Sequence, residues 1–183
     1  MITKEYCQKR KITILSIHGK GRIMVDYSKF KVYQFERNTP RPKPTKEQIR
    51  RIERYCGIEL PDSYLEFLAH HNGGSPELSV FDCYGEKRDI DRLYPLTSDY
   101  DDPKKTLSVE TILKTGSWPG NDRKYIPIGH DPSGNMVCLD LSPNTKGQVI
   151  LWDHDTPGEE IRKVADSFEE FISSLKLRSP DDF

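Results

Sequence analysis

The strongest pattern of apolar and polar positions in the chain lies between Tyr125 and Trp152. Three short apolar runs occur there, at residues 126–129, 136–141 and 149–152, and turn sequences rich in Asp, Pro, Ser, Gly and Asn separate them. Short runs of Val, Ile and Leu bounded by such residues are typical of strands and hairpins. The stretch therefore predicts three consecutive antiparallel strands, a β-meander, on which the rest of the chain packs.

Helix signals occur on both sides of the meander. Thr45 and Gln48 match a capping box that opens a helix ending at Gly57, and Ser167 and Glu170 match a second box. Apolar residues recur at helical spacing after each box. Two further helices are predicted, one from Pro61 to residues 72–74 and one over residues 107–115.

The same reasoning predicts strands before the meander. Residues 12–17 and 22–27 resemble the two arms of a β-hairpin, and residues 31–35 alternate as a third strand would. Residues 78–84 read as a further strand, and residues 90–96 and 159–165 as extended pieces.

A Pro-rich connector at residues 38–44 marks a boundary. We expect a basic, β-rich extension over residues 1–44, a main domain over residues 45–178 and a polar tail over residues 179–183.

Charge is distributed unevenly along the 183 residues, although the net charge is only −1. Residues 1–60 carry 15 Lys/Arg and 6 Asp/Glu, whereas residues 61–183 carry 13 Lys/Arg and 23 Asp/Glu. A basic front joined to an acidic body allows contact with nucleic acid at one end or with a basic protein at the other. Ion pairing between the two parts of the chain explains the same pattern equally well.

The four cysteines, at positions 7, 56, 83 and 138, form no CxxC pair and lack the spacing of a zinc site. The N-terminus lacks the apolar core of a signal peptide. The longest apolar run is far shorter than the roughly 18 residues of a membrane span. We therefore expect a cytoplasmic protein with reduced thiols.

Several side chains that could carry chemistry lie in the turns of the meander. His130 and Asp131 lie in one turn, and Asp153, His154 and Asp155 follow the last strand; with Asp140 they could form a metal site. Aspartates in loops are more often turn-formers that bond their own backbone, so no metal site is predicted. No nucleophile lies in a sequence setting typical of catalysis, and the chain is not expected to be an enzyme.

Four phrases occur in a fixed order along the chain. They are LPDSYLEFLAHHNGG at 60–74, YIPIGHDPSGNMVCLDL at 125–141, GQVILWDHD at 147–155 and VADSFEEFISSL at 164–175. In that order and at those separations they resemble the SMI1/KNR4 family of the SUKH superfamily. The resemblance covers residues 45–176 and leaves residues 1–40 outside it.

The resemblance implies an α+β domain in which helices flank a mixed or antiparallel central sheet. It also implies a binding protein without a catalytic centre or cofactor. Bacterial members are mostly immunity proteins, which neutralise toxins of contact-dependent or polymorphic toxin systems, many of them nucleases. Fungal members are linked to the regulation of cell-wall synthesis and to signalling scaffolds.

The acidic loops are the predicted binding site for a toxin. A nuclease holds phosphates with a basic surface, which an acidic inhibitor can cover. Trp118, in a loop, is the aromatic candidate, while Trp152 is expected in the core. The acidic loops contribute the remaining candidates: Asp99, Tyr100, Asp101, Asp102, Asp153, Asp155, Glu159 and Glu160.

Three functions follow from these observations. The first is an immunity protein that binds one cognate toxin, and the second is a regulatory or scaffold protein of the fungal kind. The third, nucleic-acid binding through the basic extension, is the least expected and predicts salt-sensitive binding.

Overall fold

A computed structural model describes residues 14–18, 22–34, 39–99, 107–116, 124–156, 160–180 and 182. The strands are β1 (Ile14–His18), β2 (Arg22–Val25), β3 (Val32–Tyr33), β4 (Ser75–Pro76), β5 (Leu78–Cys83), β6 (Glu86–Asp89), β7 (Arg92–Leu93), β8 (Tyr125–His130), β9 (Met136–Asp140), β10 (Val149–Trp152), β11 (Ile161–Ala165) and β12 (Lys176–Leu177). The helices are α1 (Lys46–Cys56), α2 (Asp62–Leu68), α3 (Val109–Thr115) and α4 (Phe168–Ser174), and a short 3-10 helix covers Tyr27–Lys29. The predicted α+β class is confirmed. Within the described residues, every helix is too short or too polar to cross a membrane.

The largest sheet has five strands in the order β11-β10-β9-β8-β7, all antiparallel. Its centre is the predicted meander, in which Leu139 lies opposite both Ile126 and Val149. Side chains alternate between the two faces of a strand. Leu139 and Val149 therefore face the main hydrophobic core, whereas Cys138 and Ile150 lie buried on the opposite face.

The turn between β9 and β10 shows why aspartate is needed at the end of a strand. One carboxylate oxygen of Asp140 accepts a hydrogen bond from the Ser142 N–H at 2.8 Å, and the other accepts one from the Thr145 hydroxyl at 2.6 Å. Gly147 completes the turn at φ +92°. Asp140 is thus a turn-former, as predicted.

Helix α1 begins and ends where the sequence predicts. The Thr45 hydroxyl accepts a hydrogen bond from the Gln48 N–H at 3.2 Å, and the Gln48 side chain accepts one from the Thr45 N–H at 2.7 Å. This reciprocal pair satisfies two donors that the helix itself leaves unpaired. Gly57, at φ +73°, ends the helix in the left-handed conformation.

Helix α2 is shorter than predicted, because it ends at Leu68 rather than at residues 72–74. The residues after it serve packing instead. The Asn72 side chain donates to the Pro42 carbonyl at 2.7 Å and accepts from the Leu96 N–H at 2.9 Å. A Cβ at Gly74 would lie 2.6 Å from the Tyr33 carbonyl oxygen, so the close approach of β3 requires glycine there.

Residues 25–33, which precede the Pro-rich connector, pack on the elements that follow it. Strands β1 and β2 form the predicted hairpin, but β3 pairs with β4 of the main domain rather than extending that hairpin. Tyr27 and Phe30 are buried, and both rings contact Phe67 of α2. The ring of Tyr27 also lies 6.3 Å from that of Phe168 in α4. Residues 25–30 therefore share the core with the main domain, although the sequence suggested a boundary near residue 44.

Three strands were missed by the sequence pattern: β4, β6 and β12. Strand β12 pairs with one side of β5 and β6 with the other, giving a second sheet in the order β12-β5-β6. The predicted extended piece at residues 90–96 contains only the two residues of β7. Strand β6 reads EKRD, which has no apolar position, so its sequence alone does not resemble a strand.

Candidate functional site

The side chain of Arg88 in β6 holds together the two turns at one end of the five-stranded sheet. Its Nη1 lies 3.9 Å from a carboxylate oxygen of Asp131, in the β8–β9 turn. Its Nη2 lies 3.3 Å from Asp153, after β10, and 2.8 Å from Glu86. The side chains of Asp131 and Asp153 are only 4% and 5% exposed, so the guanidinium group offsets two buried negative charges.

The same two aspartates shape the turns in which they lie. One oxygen of Asp131 accepts hydrogen bonds from the N–H groups of Ser133 and Asn135, both at 2.9 Å, and the other accepts from the Asn135 amide at 2.8 Å. Asp153 accepts from the Asp155 N–H at 3.1 Å. These are the local bonds that make aspartate a turn residue, as the sequence predicts.

Asn135 connects the two turns directly. Its side-chain oxygen accepts a hydrogen bond from the His154 N–H at 3.2 Å, while its amide nitrogen donates to Asp131. Asn135 is buried, so each of these bonds satisfies a group withdrawn from water. The β8–β9 turn and the segment after β10 are therefore held as one unit.

Two exposed carboxylates, those of Glu86 and Asp155, lie at or beside this unit. Glu86 is 61% exposed and lies 3.9 Å from Arg162 of β11, and the side chain of Asp155 is 75% exposed beside His154. We call the following four carboxylates and two guanidinium groups the acidic cluster: Glu86, Asp131, Asp153, Asp155, Arg88 and Arg162. Its net charge is −2.

A groove of about 600 Å³ adjoins the acidic cluster. Strand β6 forms one wall, and residues 131–133 form the other. Asp89, also in the wall, receives the Arg178 guanidinium on one oxygen at 3.1 Å. The other oxygen of Asp89 is buried without a hydrogen-bond partner among the described residues. The groove is thus lined by charged groups that mostly pair with one another.

The predicted site residues are divided between separate parts of the structure. Asp99 lies beside α1, where it accepts hydrogen bonds from Gln48 at 2.8 Å and from Arg51 at 2.9 Å. These two contacts lower the pKa of the Asp99 carboxyl below its usual value. Arg51 also contacts Glu110 at 2.8 Å. A cation from the basic residues 1–60 therefore pairs with two carboxylates from the acidic residues 61–183.

The remaining predicted residues differ in how far they reach solvent. Asp153 is buried and paired with Arg88, so its carboxylate is not an exposed contact group. Asp155 is exposed, and Glu160 is half-buried with its carbonyl oxygen accepting the Asp153 N–H at 2.7 Å. The other predicted site residues lie outside the described residues: Tyr100, Asp101, Asp102, Trp118 and Glu159.

The groups considered for metal binding or catalysis have structural partners. Asp140 lies in a different turn from Asp131, and the described residues contain no group of three or more His, Cys, Asp or Glu able to hold a metal ion. Cys138 is fully buried, which raises the pKa of its thiol well above the usual value. Trp152, expected in the core, is half-buried at the end of β10.

Sequence reasoning missed Arg88 and Tyr84. Arg88 reaches an aspartate 65 positions later, a separation for which a single sequence gives no signal. Tyr84 stands with Gly85 between two strands, and a two-residue link ending in glycine is a hairpin signal that was available.

The fold is thus an α+β domain whose polar clusters hold turns in place. Residues 43–174 match the family model of the SMI1/KNR4 family (SUKH-1), and since the match covers most of the chain, the protein belongs to this family.

A relative in Bacillus subtilis (strain 168), the SPbeta prophage-derived uncharacterized protein YokK, is 28% identical. The alignment covers 72% of this chain and 74% of the relative. A crystal structure of a protein from Pseudomonas syringae pv. tomato superposes with a TM-score of 0.47 and 21% identity, over 78% of this chain and 89% of that one.

Proposed function

We propose that this protein is a non-enzymatic immunity protein that binds and neutralises a cognate bacterial toxin, a nuclease of a polymorphic or contact-dependent system. Membership of the SMI1/KNR4 family is the observation that carries this proposal, because the bacterial members it resembles are mostly immunity proteins. The relative in Bacillus subtilis is prophage-derived. A gene for protection would spread on such an element together with the gene for its toxin. The proposed site of action is the cytoplasm, where a nuclease meets its substrate.

The surface chemistry supports a basic partner. The acidic cluster carries a net charge of −2, and its exposed carboxylates, Glu86 and Asp155, extend into solvent. A nuclease holds the phosphates of its substrate with Lys and Arg. An acidic surface attracts such a face over a distance of several ångströms and raises the association rate more than the final affinity.

The polar groups most suited to chemistry have structural roles, which supports binding rather than catalysis. The carboxylates of Asp131 and Asp140 each accept hydrogen bonds from within their own turn. The Cys138 thiol is enclosed in the sheet. In a binding protein such groups fix the shape of the surface that the partner contacts.

Co-production with the product of the neighbouring gene tests the proposal. A bacterial host would produce that product alone, with this protein, and with this protein carrying Glu86→Gln and Asp155→Asn. We expect the wild-type protein to restore growth and to elute with its partner as a single complex. The charge-neutralised variant should associate roughly tenfold more slowly at low salt and lose most of its salt dependence.

A matched control is Glu47→Gln, which neutralises an exposed carboxylate on α1. It should leave the association rate unchanged. Absence of any growth protection or complex would refute the immunity function and favour a regulatory or scaffold role. Binding of generic DNA or RNA in a low-salt gel shift would instead support the third function, which depends on the basic extension.

A further inference from the structure

Tyr84 is the most exposed large hydrophobic side chain among the described residues. It stands at the tip of the β5–β6 hairpin and is 73% exposed. Large aromatic rings normally bury most of their surface because transfer from water is favourable. An aromatic ring held out at a hairpin tip is therefore a candidate anchor for a protein partner.

The backbone at Tyr84 is unfavourable for the residue that occupies it. Tyr84 has φ +53° and is the only described residue other than glycine with a positive φ. Gly85 follows at φ +84°, so the link has the two positive φ values of a type I′ hairpin turn. Asn followed by Gly is the preferred sequence for that turn. Asparagine tolerates the left-handed region, whereas a bulky side chain such as that of tyrosine is rarely found there. Hairpin stability alone would thus favour asparagine at position 84.

The surroundings of Tyr84 indicate what kind of surface it would meet. Glu86, two residues later, belongs to the acidic cluster and contacts Arg162 of β11. The neighbouring Lys163 has a raised pKa, chiefly because of its hydrogen bond to Asp166 and to a smaller extent because of Tyr84. The hairpin tip therefore lies beside the edge of the five-stranded sheet, next to a region with net charge −2.

We propose, on the basis of the immunity function, that Tyr84 anchors the complex by inserting its ring into an apolar pocket on the basic, phosphate-binding face of the toxin. The acidic cluster beside it faces the Lys and Arg side chains at the rim of that pocket. Tyrosine is kept at position 84, although it makes the turn of the free protein less stable, because its ring is needed in the complex with the toxin.

The experiment uses the full-length chain and a purified, catalytically inactive form of the toxin domain encoded by the neighbouring gene. Affinity is measured by titration calorimetry and thermal stability by the melting temperature of the free protein. The decisive variant is Tyr84→Asn, which suits the turn but removes the ring. We expect it to bind at least ~30-fold more weakly than wild type, as hot-spot residues do, with a melting temperature that is unchanged or higher.

Two further variants separate the ring from other effects. Tyr84→Phe keeps the apolar ring and should stay within ~3-fold of the wild-type affinity. Tyr33, a second exposed tyrosine at 44%, is the matched control, and Tyr33→Asn should stay within ~2-fold.

Each other outcome overturns a defined part of the proposal. Wild-type affinity in Tyr84→Asn removes the anchor while leaving the immunity function intact. Weaker binding accompanied by a lower melting temperature shows a structural role and also removes it. A wild-type affinity that does not change when the titration is repeated at high salt removes the basic rim. No binding by the wild-type protein overturns both the anchor and the function on which it rests.

Discussion

The side chain of Tyr27 makes one favourable and one unfavourable contribution to the stability of the fold. Its ring is 1% exposed and contacts Phe67 edge-on at 5.7 Å. Its hydroxyl is buried and has no hydrogen-bond partner among the described residues. Burial raises the pKa of that hydroxyl, so the group stays neutral. The ring stabilises the fold by removing apolar surface from water, whereas the hydroxyl loses its hydrogen bonds to water.

Replacing Tyr27 in two ways separates these contributions. Tyr27→Phe keeps the ring and should raise the free energy of unfolding by about 1 kcal/mol. Tyr27→Ala removes the ring and should lower it by about 3–5 kcal/mol. Urea denaturation of the two variants measures both changes in the free energy of unfolding. Tyr55→Phe is the control, because its hydroxyl donates to the Leu113 carbonyl at 2.9 Å and its loss should destabilise. Destabilisation by Tyr27→Phe would mean that the hydroxyl has a partner.

Single residues were predictable where their contacts are local. Asp131 and Asp140 stand where apolar runs give way to turn residues, and their carboxylates accept hydrogen bonds from backbone N–H groups two to four residues onward. Arg88 was not predictable, because its contacts with Asp131 and Asp153 arise only when two sheets come together. Asp153 is buried by the same packing. Its neighbours in the sequence carry no sign of that packing, which is why the sequence suggested an exposed loop.

At the level of elements, Arg88 couples β6 to the turns of the five-stranded sheet. We expect Arg88→Ala to lower the free energy of unfolding by about 3 kcal/mol, because Asp131 and Asp153 would then be buried without their counter-charge. Arg54→Ala breaks an ion pair whose side chains are both 67% exposed, and should cost less than about 0.5 kcal/mol. Equal effects of the two substitutions in urea denaturation would contradict the coupling.

The elements that the sequence predicts are those stabilised by their own residues. The capping box of α1 and the Val- and Ile-rich strands of the meander carry their signals locally. Strands β6 and β12 do not. Lys87 and Asp89 are charged, and β6 exists because β5 offers a register in which Arg88 lies opposite Phe81. A strand of that kind forms because a neighbouring strand pairs with it. Its own residues carry no signal of that pairing.

At the level of the whole molecule, two half-buried histidines make stability depend on pH. Burial is the main cause that lowers the pKa of both His71 and His130, outweighing the nearby Tyr27 carbonyl in one case and Asp91 in the other. The folded protein therefore keeps them neutral, while the unfolded chain protonates near pH ~6.5. Their contribution is complete above that pH and is lost as the pH falls toward the lower folded-state pKa values, because the unfolded chain binds the protons first.

We therefore expect the free energy of unfolding to decrease as the pH falls below about 6.5. Urea denaturation across that range gives the slope, and the double variant His71→Asn, His130→Gln should reduce it. The pKa of Asp99 is also lowered, but that carboxyl titrates at more acidic pH and leaves this window unaffected. A slope that persists in the double variant would assign the pH dependence to other groups.

The contact of Tyr27 with Phe168 has a consequence for the timing of protein synthesis. Tyr27 leaves the ribosome long before Phe168 of α4, against which its ring packs. Strand β12, which completes the second sheet, follows later still. The core therefore closes only after α4 and β12 have been synthesised, and pairings so distant in sequence form slowly. Under the proposed function, protection would begin only after this late closure of the core, so production of the immunity protein would have to precede exposure to the toxin.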